Sequence, residues 1–193
     1  MGDINQIVYL KKYAPEITGA VLEIGSKDYG NTSSFRDHYI ENEYVGIDME
    51  AGNNVDQVID LTHGTGDLPP NYFSLVVCCS VLEHVRKPWV MAENITRLVR
   101  TGGALYMSVP WVWRYHPYPD DYYRFSWRGI IELFPDFEWK HIYYSTNVPN
   151  EFFEVTDDTI ETDNKLAIKK RGFKGKRKYL PYLMINMLGF KGR

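Results

Sequence analysis

Apolar runs and amphipathic stretches alternate along the first 110 residues of the chain. Residues 21–24, 44–47, 55–61, 74–79 and 104–109 are interpreted as strands. The fourth of these runs is apolar throughout, which is typical of a strand that is covered on both faces of a sheet. Because strands alternate with helical stretches at regular intervals, the pattern predicts a parallel sheet with helices on both of its faces.

The stretches between and around these strands predict four helices. Their starts carry capping residues or a proline, which suits the first turn of a helix. The expected starts are Asp3, Thr32 or Ser33, Pro88 and Ser126. The second of these helices is expected to carry Phe35 and Tyr39, and Thr101-Gly102-Gly103 is expected to end the third.

Two further strands complete the predicted sheet, one at residues 137–144 and one at 164–170. The expected fold is a Rossmann-like three-layer α/β/α sandwich. Its mostly parallel sheet has seven strands and an antiparallel strand near the C-terminus. We predict one domain over residues 1–193, with a core at about 18–150 and a C-terminal extension at about 165–193.

The composition is that of an ordinary globular chain, with 193 residues, 44% hydrophobic and 24% charged. It has no apolar run of membrane-spanning length and no secretory signal at its start. The two cysteines, Cys78 and Cys79, are neighbours in a predicted strand and form neither a disulfide framework nor a metal site. These features predict a cytoplasmic protein without a transmembrane segment and without a bound metal.

Charge is distributed unevenly along the chain. The net charge is −3, yet residues 169–178 hold seven cations and no acid, so the rest of the chain is strongly acidic. An acidic body argues against nucleic acid as a partner. Residues 179–188 are apolar and are expected to dock on the body of the protein or on a second subunit. A homodimer is one arrangement that would satisfy them, and peripheral membrane contact is another.

In a sheet of this kind the ligand binds at the carboxyl ends of the strands, where the strand order reverses. The loops expected there are rich in polar residues and glycine. Glu23-Ile24-Gly25-Ser26 ends the first strand, Asp48 ends the second, Asp60-Leu61 ends the third, and Ser80 to Val85 follows the fourth. A carboxylate in the position of Asp48 can accept hydrogen bonds from both hydroxyls of a ribose.

Five segments in this order and spacing resemble the class I S-adenosylmethionine (SAM)-dependent methyltransferases, in particular the group related to the ubiquinone-biosynthesis enzymes. The segments are Leu22-Glu23-Ile24-Gly25, Val45-Gly46-Ile47-Asp48, Asp60-Leu61, Val81-Leu82-Glu83-His84-Val85 and Leu98 to Gly103. The resemblance covers roughly residues 20–110. It implies SAM as cofactor and S-adenosylhomocysteine as product.

The resemblance also implies a role for each loop at the cofactor site. Gly25 and Ser26 would pass under the amino-acid half of SAM, and Glu23 would organise that loop. Asp48 would hold the ribose, while Met49 would pack on the adenine ring. The remaining residues expected to bind the cofactor are Lys27 in the glycine loop, Asp60 and Leu61 at the adenine, and Ser80 and Val81 at the methionine end. Asp60 could instead cap a local turn.

Lys27 departs from the glycine pattern of this family. A pyrophosphate cofactor needs a second glycine at that position so that the backbone can approach the phosphates. SAM carries no phosphate and has no such requirement. The substitution therefore disfavours a nucleotide-cofactor enzyme that uses NAD more than it disfavours a SAM enzyme.

Aromatic and polar residues alternate in residues 109–125, after the fifth strand. Flat aromatic walls with polar groups between them suit a sugar or a ring-bearing metabolite. A His-Pro-x-Pro-x-Asp-Tyr-Tyr-Arg-Phe run of this kind is similar to runs in bacterial methyltransferases of glycan genes, which favours a saccharide acceptor by analogy. The residues expected to bind the acceptor are Trp111, Trp113, His116, Asp121, Tyr122 and Arg124. The alternative is a packed loop in which the Asp–Arg pairs are internal ties.

We expect methyl transfer from SAM to an oxygen or nitrogen of a small-molecule acceptor. His84 is the first candidate for the general base, because the pKa of a histidine lies near neutrality. His116 is the second candidate and Asp120 the third. The alternative functions are a SAM-binding protein without catalysis and, less favoured, an enzyme that uses a nucleotide cofactor.

Overall fold

A computed structural model describes residues 4–30, 34–156 and 182–192. Within this part of the chain it contains eight strands and three α-helices. The helices are α1 (Ile4–Tyr13), α2 (Pro88–Leu98) and α3 (Trp127–Leu133). The strands are β1 (Val21–Ile24), β2 (Tyr44–Asp48), β3 (Gln57–Val58), β4 (Phe73–Cys79), β5 (Val99–Val112), β6 (Phe137–Ser145), β7 (Phe152–Glu154) and β8 (Leu183–Lys191).

The strands form one sheet in the order β3-β2-β1-β4-β5-β8-β6-β7. Neighbouring strands from β3 to β5 pair in parallel. The strand β8 lies between β5 and β6 and is antiparallel to both, and β7 is antiparallel to β6. The predicted fold class is confirmed. The expected count of seven strands is wrong, because the short edge strand β7 brings the described sheet to eight.

Helices cover both faces of the sheet, as the side-chain alternation of its central strands requires. Val76 and Cys78 of β4 point to the face covered by α2 and α3. Leu75 and Val77 point to the opposite face, which is covered by α1. Successive side chains of a strand point to opposite faces, so a strand with apolar residues at every position needs cover on both.

The α-helix expected between β1 and β2 is absent from the residues described there. Thr32 and Ser33 lie outside the described residues, and the described part of this connection contains a 3₁₀ turn at Arg36–His38. The hydroxyl of Ser34 accepts a hydrogen bond from the Arg36 N–H at 3.1 Å. Such a local side-chain bond gives the backbone an alternative to the α-helix. The two later helices begin as predicted, with Pro88 in the first turn and Ser126 as a cap.

The strand predicted at residues 164–170 lies outside the described residues. The antiparallel strand next to β5 is β8, in the segment that the sequence predicted to dock as an apolar tail. In β8, residues Leu183 to Gly189 are buried, as expected for a strand in the interior of a sheet. The sheet therefore extends beyond the predicted core of residues 18–150. No helix in the described ranges is long and apolar enough to cross a membrane.

Candidate active site

A cleft of about 720 Å³ opens at the carboxyl ends of the parallel strands. Its walls come from the ends of β1, β2, β4 and β5 and from the loops that follow β1 to β5, with one side chain each from α1, α2 and β8. All ten residues predicted to bind the cofactor line this cleft: Glu23, Gly25, Ser26, Lys27, Asp48, Met49, Asp60, Leu61, Ser80 and Val81. The predicted loops therefore meet in one place, at the position that the strand order favours for a ligand.

The glycine loop after β1 is tied to the end of β2. The N–H groups of Gly25 and Ser26 both donate to the Ile47 carbonyl, at 2.9 and 3.1 Å. Gly25 has a φ of +74°, and a Cβ at this position would lie 2.4 Å from Cγ2 of Val81. Glycine is therefore required here both by its backbone conformation and by the close approach of the loop after β4.

The Asp48 carboxylate is mostly buried at the end of β2. One oxygen accepts from the Glu50 N–H at 3.0 Å, and the other is 3.3 Å from the Lys27 N–H. These bonds fix the carboxylate and leave it acceptor capacity toward the cleft. The Lys27 ammonium binds Glu50 at 2.6 Å and lies over the Tyr29 ring, so this cation is already paired.

Asp60 lines the cleft, but its carboxylate also caps the turn that follows it. One oxygen accepts from the N–H and the hydroxyl of Thr62, at 2.8 and 2.7 Å, and the other contacts the His63 ring at 2.9 Å. Partial burial raises the pKa of Asp60, but these hydrogen bonds outweigh it and lower the pKa below its usual value. The turn-capping alternative is therefore present in the structure. A ligand can use only the lone pairs of the Asp60 carboxylate that these hydrogen bonds leave free.

Glu23 is buried in β1, at the base of the cleft. Burial raises its pKa to about 7, although the Tyr44 hydroxyl, which donates to the carboxylate at 2.6 Å, acts in the opposite direction. A carboxyl group in this environment titrates near neutral pH, so the charge at the base of the cleft changes with pH in that range.

Gln6 of α1 is a buried residue of the cleft that the sequence analysis missed. Its side-chain amide donates to the hydroxyls of Ser80 and Ser108, at 3.2 and 3.0 Å. Ser80 has a φ of +56°, an uncommon conformation for a residue other than glycine. Gln6 thus braces a strained residue where the loop after β4 lines the cleft. The apolar stripe of α1 gave no signal for this role.

The aromatic loop after β5 divides into a cleft wall and a supporting part. Trp113, His116 and Tyr118 line the cleft, as do Arg114 and Tyr115. The other predicted acceptor residues do not line it: Trp111, Asp121, Tyr122 and Arg124. The sequence pattern identified the loop, but it could not separate the residues that face the cleft from those that hold the loop in place.

The supporting residues have clear structural partners. Arg124 binds the Asp121 carboxylate with both terminal nitrogens, and this guanidinium holds the pKa of Asp121 at about 2. Asp121 also accepts from the His116 N–H at 2.8 Å. The Tyr122 hydroxyl donates to the Asp120 carboxylate at 2.7 Å, and Trp111 packs against the larger apolar cluster. The Asp–Arg pair is thus an internal tie.

Two histidines meet a buried glutamate where the loop after β5 lines the cleft. His84 and Glu83 belong to the 3₁₀ turn Leu82–His84, and His116 comes from the loop after β5. The Nε2 atoms of His84 and His116 lie 3.7 and 3.8 Å from Oε1 of Glu83. Burial lowers the pKa of both histidines and raises the pKa of Glu83 to about 8. Asp120 contributes its backbone carbonyl, which lies 2.6 Å from Nδ1 of His84.

The strand order and the cleft at the carboxyl ends define a Rossmann-like α/β protein with a ligand site at its topological switch point. Residues 22–107 match the family described as "Methyltransferase domain". A curated relative, the ubiquinone biosynthesis O-methyltransferase of Nitrosomonas europaea, is 33% identical over 60 residues. That alignment covers 31% of this chain and 26% of the relative.

Two solved structures extend the comparison over 98% of the chain. Phosphoethanolamine N-methyltransferase 2 of Haemonchus contortus, in complex with SAM, has a TM-score of 0.59 at 15% identity. This chain covers 52% of that enzyme, or about half its length. The cyclase SpnF has a TM-score of 0.65 at 13% identity, with 81% of its chain covered.

These similarities show the fold, and the sequence match adds a resemblance to a methyltransferase domain over residues 22–107. The chain thus has the fold of SAM-dependent methyltransferases. The resemblance inferred from the five sequence segments is thereby confirmed. The same fold in a protein named as a cyclase means that the reaction must be argued from the site.

Proposed function

We propose that this protein transfers a methyl group from SAM to an oxygen or nitrogen of a small-molecule acceptor. One observation carries the proposal. A single cleft joins the Gly25–Asp48 loops, which suit the nucleoside and amino-acid parts of SAM, to the His84–His116 end, which suits an acceptor. A methyltransferase needs this continuity, because the acceptor atom must reach the methyl carbon of the bound cofactor.

The cofactor half fits SAM by the chemistry of its side chains. Asp48 presents a fixed carboxylate to a ribose, and each hydrogen bond to such a charged acceptor contributes about 1.5–3 kcal/mol. Met49 is 54% exposed beside it, which leaves an apolar side chain available to an adenine ring. The glycine loop is closed by Val81. SAM carries no phosphate, so its site needs no free cation to bind one. The ion pair of Lys27 with Glu50 agrees with this.

The acceptor half suits a ring-bearing polar molecule, and a saccharide is the acceptor class that we propose. Trp113, Tyr115 and Tyr118 provide aromatic surface, and Arg114 and His116 provide polar groups between them. Tyr115 and Tyr118 are 70% and 63% exposed, so they have surface to contribute on binding. Stacking on aromatic faces combined with a few directed hydrogen bonds is how polar ring ligands are held.

His84 is the proposed general base, provided that its Nε2 atom is not bound to another group. Its Nδ1 faces the Asp120 carbonyl, which can only accept, so Nδ1 carries the proton and Nε2 is left as an acceptor. Burial lowers its pKa, which keeps the imidazole neutral at physiological pH. His116 stays the second candidate. The carboxylate of Asp120 is engaged by Tyr122 and lies outside the cleft wall, which makes it the weakest of the three.

In the proposed reaction, Nε2 of His84 takes the proton of an acceptor hydroxyl as its oxygen attacks the methyl carbon. The new O–C bond forms while the S–C bond breaks, and the sulfonium becomes a neutral thioether. Because positive charge is lost at sulfur, alignment of the nucleophile and exclusion of water supply much of the acceleration.

Isothermal titration with SAM and S-adenosylhomocysteine tests the cofactor half of the proposal. We expect micromolar binding that is weakened at least tenfold in Asp48→Ala and unchanged in the control Asp37→Ala, whose side chain is exposed before β2. NAD should not bind. Absence of binding to both SAM and its product, in a protein shown to be folded, would reject the proposed function.

Substitution of His84 tests the role of the base. His84→Ala should lower kcat for a hydroxyl acceptor by a factor of about 10² to 10⁴, while the Kd for S-adenosylhomocysteine changes less than twofold. The acceptor is found first by a screen with radiolabelled SAM that begins with sugars. SAM binding without turnover on any acceptor would favour the alternative of a non-catalytic SAM-binding protein. A homodimer and a cytoplasmic location stay predictions, to be checked by light scattering and cell fractionation.

A further inference from the structure

Three groups with lone pairs face one another at the acceptor end of the cleft. They are an oxygen of Glu83 and the Nε2 atoms of His84 and His116, and ligand atoms of the three residues lie within 4.8 Å of one another. Glu83 and His84 follow β4, whereas His116 follows β5. No metal was predicted from the sequence, since His116 is remote from Glu83 and His84 in the chain and the three residues form no spacing motif.

The Glu83 carboxylate has no hydrogen-bond partner among the described residues, although its side chain is only 1% exposed. Burial of an unpaired carboxylate is costly, so the ionised form of such a group is favoured only when a partner supplies positive charge. The two histidine nitrogens are the nearest candidates, but at 3.7 and 3.8 Å they are too far for hydrogen bonds.

Both histidines are oriented so that Nε2 carries the lone pair. Nδ1 of His84 lies 2.6 Å from the Asp120 carbonyl. Nδ1 of His116 lies 3.1 Å from the Arg114 carbonyl and 3.2 Å from the Asp121 carboxylate, which Arg124 fixes. A histidine that ligates a metal almost always donates its other ring N–H to a carbonyl or a carboxylate in this way.

The spacing of the three atoms fits a shared ion. Two ligands of a tetrahedral zinc ion, at bonds of about 2.1 Å, lie about 3.4 Å apart. The two separations from Glu83, 3.7 and 3.8 Å, need only a small inward movement of the imidazoles. Ligand nitrogens of the two histidines lie within 4.8 Å of each other. Two imidazoles and one carboxylate suit zinc, cobalt or iron better than magnesium, which prefers oxygen ligands and water.

We propose that Glu83, His84 and His116 bind one divalent transition-metal ion, with zinc as the first candidate, and leave an open coordination position toward the cleft. All three residues line the cleft, so the open position is accessible to an oxygen of the acceptor. Access of the acceptor to the ion rests on the proposed function.

Metal binding changes the role of His84, because a nitrogen that coordinates a metal does not accept a proton. The ion instead lowers the pKa of a hydroxyl bound to it, and that proton passes to solvent. The resulting oxygen attacks the methyl carbon as before. The ion is neither oxidised nor reduced in this step.

Titration of the chelator-treated, full-length protein with Zn²⁺ and Co²⁺ tests the proposal. We expect one ion per chain with a micromolar or lower Kd, and intense visible absorption from four-coordinate Co²⁺. Glu83→Gln and His116→Ala should each weaken binding at least tenfold, a loss of about 1.4 kcal/mol or more. His38→Ala removes an exposed histidine after β1 and is the matched control, with binding unchanged.

Thermal unfolding separates loss of the site from loss of the fold. Glu83→Gln replaces a buried carboxyl group that has no hydrogen-bond partner among the described residues with a neutral side chain of the same shape, so the metal-free variant should unfold close to the wild-type Tm. Zn²⁺ should raise the Tm of the wild type and of His38→Ala but not of Glu83→Gln. The proposal is overturned if no saturable binding occurs, or if Glu83→Gln and His116→Ala bind as tightly as the wild type. S-adenosylhomocysteine binding is titrated separately on the same metal-free protein, so failure of the metal site and failure of the proposed function give different results.

Discussion

Gly25 shows how one residue can be required both by its own backbone and by a neighbouring loop. Its φ of +74° lies in the left-handed region, and its missing Cβ makes room for Val81. Gly30 has a similar φ of +81°, but an added Cβ there would meet no atom of the described residues within 4 Å. A comparison of alanine substitutions at these two glycines therefore separates the cost of backbone strain from the cost of steric crowding.

Gly25→Ala is expected to lower the free energy of unfolding by about 2–4 kcal/mol, through strain and overpacking together. Gly30→Ala should lower it by only about 1 kcal/mol, through strain alone. Denaturant unfolding measures both effects. Val81→Ala should recover part of the loss in a double variant with Gly25→Ala. Equal effects of the two glycine substitutions would contradict the assigned contact with Val81.

At the scale of elements, β8 holds the two halves of the sheet together. It pairs with β5 over residues 104–112 and with β6 over residues 137–145, so β6 and β7 connect to the parallel strands through it. Asn186 in β8 accepts from the Tyr106 hydroxyl and donates to Ser145, both at 2.9 Å and fully buried. These bonds join three neighbouring strands on one face.

Deletion of residues 183–193 is therefore expected to abolish cooperative unfolding, because backbone groups of β5 and β6 would lose their partners and apolar surface would be exposed. Circular dichroism during heating measures this. Deletion of residues 192 and 193 alone removes the backbone hydrogen bond from the Gly192 N–H to the Asp136 carbonyl, and should leave a folded protein. A cooperative transition at the wild-type temperature in the longer deletion would show that β8 is dispensable.

For the whole molecule, the buried Glu23 couples folding to pH. Its pKa is raised from 4.5 to about 7, chiefly by burial. Between these values the group is protonated in the folded protein and ionised in the unfolded chain, so unfolding releases a proton. Stability from this group is therefore complete below about pH 4.5 and is lost as the pH rises through about 7.

We expect the wild type to lose about 3 kcal/mol of unfolding free energy, relative to Glu23→Gln, between pH 4.5 and pH 8. The amide keeps an acceptor for the Tyr44 hydroxyl but does not titrate. Urea unfolding at several pH values measures the difference, and Glu93→Gln, an exposed glutamate on α2, is the control. Parallel pH profiles for the wild type and Glu23→Gln would contradict the raised pKa.

The fold class and the cofactor loops follow from local patterns in the sequence. Strand and helix periods are local properties, and a residue at a strand end is placed at the sheet edge by the strand itself. For this reason the sequence alone suffices to assign Gly25, Asp48 and Ser80 to one cleft. The match to a methyltransferase domain depends on the same local segments.

Contacts between residues that are far apart in the sequence are decided by the tertiary structure. The pairing of β8 between β5 and β6 depends on contacts across the whole chain, and apolar composition cannot distinguish a central strand from a docking tail. The same limit applies to Gln6 beneath Ser80, and to the division of the loop after β5 into a cleft wall and its supports. Glu83 and His116 come together because two strands are neighbours in the sheet, and no local pattern encodes that proximity.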